Sequence, residues 1–299
     1  MHKTKVSFFP IFIPMKTLGS IRQQFLADLT PIYDQDEILS LFHITAEHLL
    51  NFPRLQISLK LQESLSESQS TEFSRILQQL QSGRPIQHII GKAPFYGLEF
   101  IVSENTLIPR PETEELVDLI ISENKSIRNL RIIDIGTGSG CIAISLKKNL
   151  KDAEVSAVDI STEAIEIAKQ NAINNGIPVN FRCLDILEWD LVFDEEEQFD
   201  IIVSNPPYVT QDEKDDMHHN VLQFEPHTAL FVEDSAPLLF YDNIASCALK
   251  HLKTNGTLYF EINQYLSKET KDLLLKKGFS KVDILNDINS VPRMIRSSR

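Results

Sequence analysis

The run Arg131-Ile132-Ile133-Asp134-Ile135 leads straight into Gly136-Thr137-Gly138-Ser139-Gly140, and the helical spacing of Ile142, Ile144 and Leu146 follows at once. A short stretch so dominated by isoleucine reads as a strand covered on both faces. Turning on glycines directly into a helix, it commits the chain to a layered α/β sheet. The glycines also let the backbone approach a ligand closely, and a helix beginning near Gly140 aims its N-terminal amides at the turn. A nucleotide-like cofactor suits such a turn. The dinucleotide fingerprint is G-x-G-x-x-G/A, whereas here the third glycine arrives one position early and Cys141 takes its slot. That spacing makes NAD the minor reading.

The pattern repeats downstream. Further strands are predicted at 154–159, 179–184, 199–204, 256–262, near 279–285 and near 291–297, alternating with helical segments such as Thr162 to Asn174 and Pro237 to Leu252. Seven strands in this order form a wound sheet, in which ligands lie beyond the carboxyl ends of the strands. Polar residues stand at those ends. Asp159 is placed to take both hydroxyls of a ribose in bidentate fashion. Asp185 and Ile186 are placed to meet an adenine amine and ring face, with a turn or helix-capping acid as the plain alternative for Asp185.

After the apolar run Ile201-Ile202-Val203-Ser204 comes Asn205-Pro206-Pro207-Tyr208. This tetrapeptide suits chemistry on a planar nitrogen, whose lone pair is delocalised and whose attack needs both N–H bonds held. The Asn205 side-chain oxygen and a carbonyl freed by the rigid proline pair can accept them while Tyr208 stacks on the flat group. Such a site would methylate nitrogen.

Together, Gly136 to Gly140, Asp159 and Asn205 to Tyr208 resemble a class I S-adenosylmethionine-dependent methyltransferase of the N-methylating kind. Upstream, Phe100-Ile101-Val102 followed by Leu107-Ile108-Pro109-Arg110-Pro111-Glu112-Thr113-Glu114 resembles the release-factor glutamine methyltransferases in particular. Pro85 to Gly91, Glu225-Pro226 and Ala229-Leu230 extend the likeness over nearly the whole chain. The resemblance implies S-adenosyl-L-methionine as cofactor, bound by Gly136, Thr137, Gly138, Ser139, Gly140, Asp159, Asp185, Ile186 and Asn205. It also implies a release-factor substrate, whose Gly-Gly-Gln glutamine is held by Asn205, Pro206, Pro207 and Tyr208 and methylated on its amide nitrogen. Asn205, Pro206 and Tyr208 are the catalytic candidates. The chain departs from the family in Ile186, where an aromatic is common, in Asn263, where a glycine is common, and in the glycine-free stretch Asp234 to Pro237.

The expected organisation is a disordered extension over 1–14, a helical substrate-recognition bundle over 15–83, a β-hairpin linker over 84–105 and the cofactor-binding catalytic domain over 106–299. The bundle rests on three apolar stripes: Ile21, Phe25 and Leu29; Ile38, Leu41 and Phe42; and Phe73, Ile76, Leu77 and Leu80. Gly83 closes its last helix. The hairpin is read as strand Ile86 to Ile90, a turn near Gly91 to Pro94, and strand Phe95 to Val102. Lys3, Lys5 and the run Phe8 to Pro14 mimic a signal peptide, but the prolines and the missing cleavage site favour an overlong gene start before Met15.

Charge narrows the partners. With 29 basic and 42 acidic residues the net charge is −13, which disfavours gripping RNA or DNA through many phosphates. Between Glu188 and Asp216 stand eleven acids with only Lys214 as a base, which reads equally as a docking face for a basic protein or a solvated surface. No run long enough to span a membrane occurs. Cys141, Cys183 and Cys247 lack metal or redox spacing and read as buried thiols in a cytoplasmic protein.

Asp215, Asp216, His218 and His219 read as a solvated loop rather than a metal site, and no metal is expected. His43, His48 and His88 read as satisfied structural side chains. Arg110 reads as an anchor for the hairpin, with lining of the cofactor entrance as the alternative, and Glu112 and Glu114 as acids in a first helical turn. Two rivals remain: a nucleic-acid base N-methyltransferase, since adenine and guanine amines are equally flat, and a partner-binding protein that keeps the fold without turnover.

Overall fold

The computed structural model describes residues 16–216 and 219–299. The expected extension over 1–14 lies outside these residues. The chain divides into two compact units between Ile90 and Gly91.

The first unit is helical: α1 (Leu18–Leu29), α2 (Gln35–Leu50), α3 (Arg54–Leu59), α4 (Glu67–Gln81) and α5 (Ile86–Ile90). Thr17 and Ser66 open α1 and α4 with reciprocal capping boxes, and the Asp34 side chain caps α2. All three predicted stripes are buried in one core, where Phe25 meets Phe42 and Phe73 edge-on at 5.8 and 6.5 Å. Gly83 follows α4 with φ 82°, a left-handed conformation that glycine enters at little cost. Ile86 to Ile90 is a helix, not the expected strand. A short apolar run does not reveal its period, and here Ile86, Ile89 and Ile90 face the bundle core together at helical spacing. His43, expected to be satisfied, has its Nδ1 buried without a hydrogen-bond partner; burial holds its pKa below the ordinary histidine value.

The second unit opens with a hairpin of β1 (Lys92–Phe95) and β2 (Leu98–Ile101). Its turn is Tyr96-Gly97, both with positive φ (47° and 71°), the geometry that matches strand twist in a two-residue loop. The expected turn near Gly91 to Pro94 is therefore displaced, because tyrosine is an unusual residue for a left-handed position and hides the signal. The hairpin is fastened at both ends. At its tip, Tyr96 donates its backbone N–H to Glu114 at 2.8 Å and its hydroxyl to Asp118 at 2.8 Å. At its base, buried Asn171 accepts from the Ile101 N–H and donates to the Ile101 and Ser139 carbonyls, at 2.7, 3.0 and 2.9 Å.

After α6 (Pro111–Asn124), the elements β3 (Arg131–Ile135), α7 (Cys141–Asn149), β4 (Glu154–Asp159), α8 (Thr162–Asn175) and β5 (Asn180–Cys183) follow in alternation. Next come α9 (Trp189–Val192), β6 (Phe199–Ser204), α10 (His219–Phe224), α11 (His227–Leu230) and α12 (Leu239–His251). The unit ends with β7 (Leu252–Glu261), α13 (Ser267–Lys277), β8 (Lys281–Asn286) and β9 (Pro292–Ser298). The seven-stranded sheet predicted from sequence has the order β5-β4-β3-β6-β7-β9-β8. β3 to β7 pair in parallel, while β9 runs antiparallel between β7 and β8, the β8–β9 pair being joined by a turn too short for a crossover. Both faces are covered, which is why the strands lack polar alternation. Ile132, Ile201, Val203 and Tyr259 pack with α6 and α7; their neighbours Ile133, Ile202, Leu258 and Phe260 pack with α12.

Cys141 and Cys247 are buried as expected, but Cys183 is exposed, since it ends the edge strand β5. All three thiols are free. Among the described residues no helix is long and apolar enough to cross a membrane. In the acid-rich stretch, Glu195, Glu197 and Asp200 pair with Lys250, Arg182 and Lys253.

Candidate active site

Three adjacent parallel strands, β4, β3 and β6, bring their carboxyl ends to one cleft of about 420 Å³. The Ser204 hydroxyl donates to the Ile135 carbonyl at 2.6 Å and ties two of these ends together. The glycine turn is held against the third, as the Gly136 and Thr137 amides both donate to the Val158 carbonyl at 2.9 and 3.0 Å. Asp159 completes the clasp: its carboxylate accepts from the Gly138 N–H at 2.8 Å and the Ser161 N–H at 3.0 Å. Burial raises the Asp159 pKa, and these two N–H donors oppose that rise.

Of the predicted cofactor residues, Gly136, Gly138, Asp159, Asp185, Ile186 and Asn205 line the cleft. Pro206 and Pro207 line it as well. Thr137, Ser139, Gly140 and Tyr208 are not on its wall. Thr137 is buried, with its hydroxyl donating to Asp134 at 2.6 Å, and Ser139 is buried beneath the turn. Gly140 serves packing: a Cβ there would stand 3.1 Å from both the Ala168 Cβ and the Ile144 Cδ1. Asp185 caps a following turn by accepting from the Leu187 N–H at 2.8 Å, and so fulfils the capping alternative while also facing the cleft.

Beside Phe240 and Ile244 of α12, two further segments that the sequence linked only by resemblance wall the cleft. Residues 105–107 form one and residues 226–231 contribute to the other. Buried Glu225 joins them, accepting from the Ile108 N–H at 3.0 Å and pairing with the Arg110 guanidinium. Arg110 thus anchors the cleft wall rather than the hairpin, whose tip is held by Glu114 instead. Glu112 and Glu114 lie in the first turn of α6, as read. A short ladder stitches residues 226–232 to the Asn205–Tyr208 tetrapeptide. Tyr208 and Val209 donate to the Leu230 carbonyl at 3.2 and 2.9 Å, and Val232 donates to that of Val209 at 2.9 Å.

Behind Asn205 lies a chain of polar side chains. The Asn205 Nδ2 donates to the Thr113 Oγ1 at 3.3 Å, and the Thr113 hydroxyl donates to Glu261 Oε2 at 2.6 Å. The Tyr208 hydroxyl donates to the other Glu261 oxygen at 3.1 Å, so its ring packs inward beside the core rather than over the cleft. Burial raises the pKa of Glu261, opposed by its two hydroxyl donors and by the charge of Arg293. The unusual Asn263 has a role here: its Nδ2 donates to the Tyr208 carbonyl at 3.1 Å and to both Glu213 oxygens at 3.0 Å. Thr113, Glu225 and Asn263, which carried no role in the sequence, support the site together with Glu261.

A cofactor of the nucleoside type fits this cleft. Gly136 and Gly138 have φ 73° and 54°, and a Cβ built on either meets nothing within 4 Å, so bare backbone faces open space. Asp159 and Asp185 supply two carboxylates, and Ile160, Leu187 and Phe231 supply apolar surface. Of Asp215, Asp216, His218 and His219, read as a solvated loop, His218 lies outside the described residues, as do the side chains of the other three.

This arrangement defines a class I methyltransferase, and the family model described as "Methyltransferase small domain" matches residues 113–228. A second, "PrmC N-terminal domain", matches residues 21–91. The chain belongs to the release factor glutamine methyltransferase family. It is 49% identical to the release factor glutamine methyltransferase of Flavobacterium psychrophilum, covering 93% of this chain and 98% of that protein. It is 44% identical to that of Bacteroides thetaiotaomicron, over 91% and 96%. Among solved structures, the hMettl16 catalytic domain in complex with an RNA hairpin superposes with a TM-score of 0.52 at 19% identity. It covers 68% of this chain and 76% of that one, a likeness of fold alone.

Proposed function

We propose that this enzyme transfers the methyl group of S-adenosyl-L-methionine to the side-chain amide nitrogen of the glutamine in the Gly-Gly-Gln motif of peptide-chain release factors. The observation that carries the reading is Asn205 at the end of β6, on the same cleft as the open glycine turn. When bound, the cofactor supplies an electrophilic methyl group on a sulfonium. Gly136 and Gly138 admit it close to the backbone, Asp159 takes its ribose hydroxyls, and Asp185 and Ile186 meet its adenine.

The Asn205 Oδ1 and the Pro206 carbonyl accept the two amide hydrogens of the glutamine, and Pro207 limits the motion of the plane. Tyr208 acts from behind, through its hydroxyl bond to Glu261. Holding the nitrogen in line contributes about 7–11 kcal/mol where alignment is good. No strong base is needed, because the nitrogen becomes acidic as it gains the methyl group. The helical unit over 15–83 recognises the release factor, and the free thiols suit a cytoplasmic setting.

The test offers labelled cofactor to the enzyme with release factor and total RNA as competing acceptors. Label should enter the release factor, and Asn205→Ala should lower turnover by roughly 100-fold or more, as for loss of one transition-state hydrogen-bond partner. Label in RNA, or near-parental turnover by the variant, contradicts the proposal.

A further inference from the structure

We infer that Thr113 and Glu261 are positioning residues that set which end of the Asn205 carboxamide faces the acceptor. The inference rests on the proposed reading, in which Asn205 Oδ1 accepts a hydrogen from the substrate amide.

A carboxamide has an acceptor end and a donor end of nearly the same shape, so nothing in the tetrapeptide itself decides which end looks into the cleft. The surroundings decide it. Glu261 is buried at the carboxyl end of β7, one step past the Ser204–Phe260 pair, which places it beside Asn205. It receives the Thr113 hydroxyl at 2.6 Å, within the range of a charge-assisted O–H···O bond, and the Tyr208 hydroxyl at 3.1 Å. Thr113 has one proton and spends it there. Its oxygen retains lone pairs, and the Asn205 amide nitrogen donates to them at 3.3 Å. Turned over, Asn205 would set its oxygen against Thr113 Oγ1 with no proton between the two acceptors. The carboxylate of Glu261 therefore orders the chain, pulling the Thr113 proton inward and directing Asn205 Oδ1 outward. Thr113 lies in the first turn of α6 and is itself buried, so its rotamer is fixed by the fold.

The experiment compares Thr113→Val, Thr113→Ser, Glu261→Gln and Asn205→Ala in the full-length enzyme. It reads kcat and KM for release factor, cofactor affinity by calorimetry and thermal midpoint. Thr113→Val keeps the shape and removes the hydroxyl; kcat should fall by about 100-fold, the loss expected of a misdirected reacting geometry, with cofactor affinity and KM little changed. Thr113→Ser restores the hydroxyl and should restore kcat. In Glu261→Gln the new amide can donate to Thr113 and turn its proton toward Asn205, so kcat should again fall while cofactor still binds. This variant decides the matter should Thr113→Val fail to fold.

Parental kcat in Thr113→Val or in Glu261→Gln overturns the inference. So does a Thr113→Ser enzyme as impaired as Thr113→Val, which would assign the residue to packing. A dead Asn205→Ala beside an active Thr113→Val refutes the relay alone. Parental activity in Asn205→Ala refutes the proposed function itself.

Discussion

Glu225 is the single side chain whose loss should separate the two walls of the cleft. It is buried, with 1% of its side chain exposed, and it holds residues on both sides of the cleft mouth. Replacement by Ala leaves the Ile108 N–H without its acceptor and the Arg110 guanidinium without its partner. An unmet buried hydrogen bond costs about 1–3 kcal/mol, and breaking a fully buried ion pair about 3–5 kcal/mol. The Arg110 side chain is 33% exposed, so water recovers part of its share, and about 3 kcal/mol is the expected total. For a unit of this size that lowers Tm by about 6–12 °C. Glu225→Gln should lie between, since its side-chain oxygen still accepts from Ile108 while the charge is gone. Differential scanning calorimetry reads the stability, and titration with S-adenosyl-L-methionine reads the cleft. Because residues 105–107 and 226–231 line the cleft, cofactor affinity should weaken along with Tm. A Glu225→Ala enzyme whose Tm moves by less than about 2 °C and whose cofactor affinity is unchanged would refute the clamp.

Two further outcomes follow from the polar groups under the site. Asp134 is buried below the glycine turn and its pKa is pushed up to about 7, chiefly by burial, with the Thr137 hydroxyl opposing. The folded state then holds a proton that the unfolded chain releases near pH 4, so stability is lost as pH rises from about 4 to about 7. Asp134→Asn should flatten that part of the Tm–pH curve, and an unchanged slope between about pH 4 and about pH 7 would refute the assignment. Asn263→Gly, which installs the residue common in the family, removes the bonds to the Tyr208 carbonyl and to Glu213. It should cost about 1–2 kcal/mol and speed amide exchange over residues 208–213; unaltered exchange there would show that Asn263 does not hold this segment.

Most of the sheet was legible because buried parallel strands write themselves as short apolar runs. β3, β4 and β6 fall where the sequence placed them, and their ends carry Gly136, Asp159 and Asn205 into one cleft. The hairpin was misread for two local reasons. Ile86 to Ile90 is too short to show a period, and Tyr96 occupies a left-handed position without being glycine or asparagine. Cys183 was misjudged because a run of residues does not say whether its strand lies at the centre or the edge of the sheet.

The amino-acid order alone determined the seven strands, the open glycine turn and the Asn-Pro-Pro-Tyr turn after β6, since each is a local pattern of hydrophobicity or backbone freedom. The tertiary structure alone decided what stands behind them. Thr113 and Glu261 are separated by 148 residues, and Arg110 and Glu225 by 115, yet each pair shares a hydrogen bond. No local pattern encodes such a bond. It exists because the crossovers of a wound sheet lay the start of α6, the end of β7 and the loop after β6 side by side, where buried polar atoms must find partners.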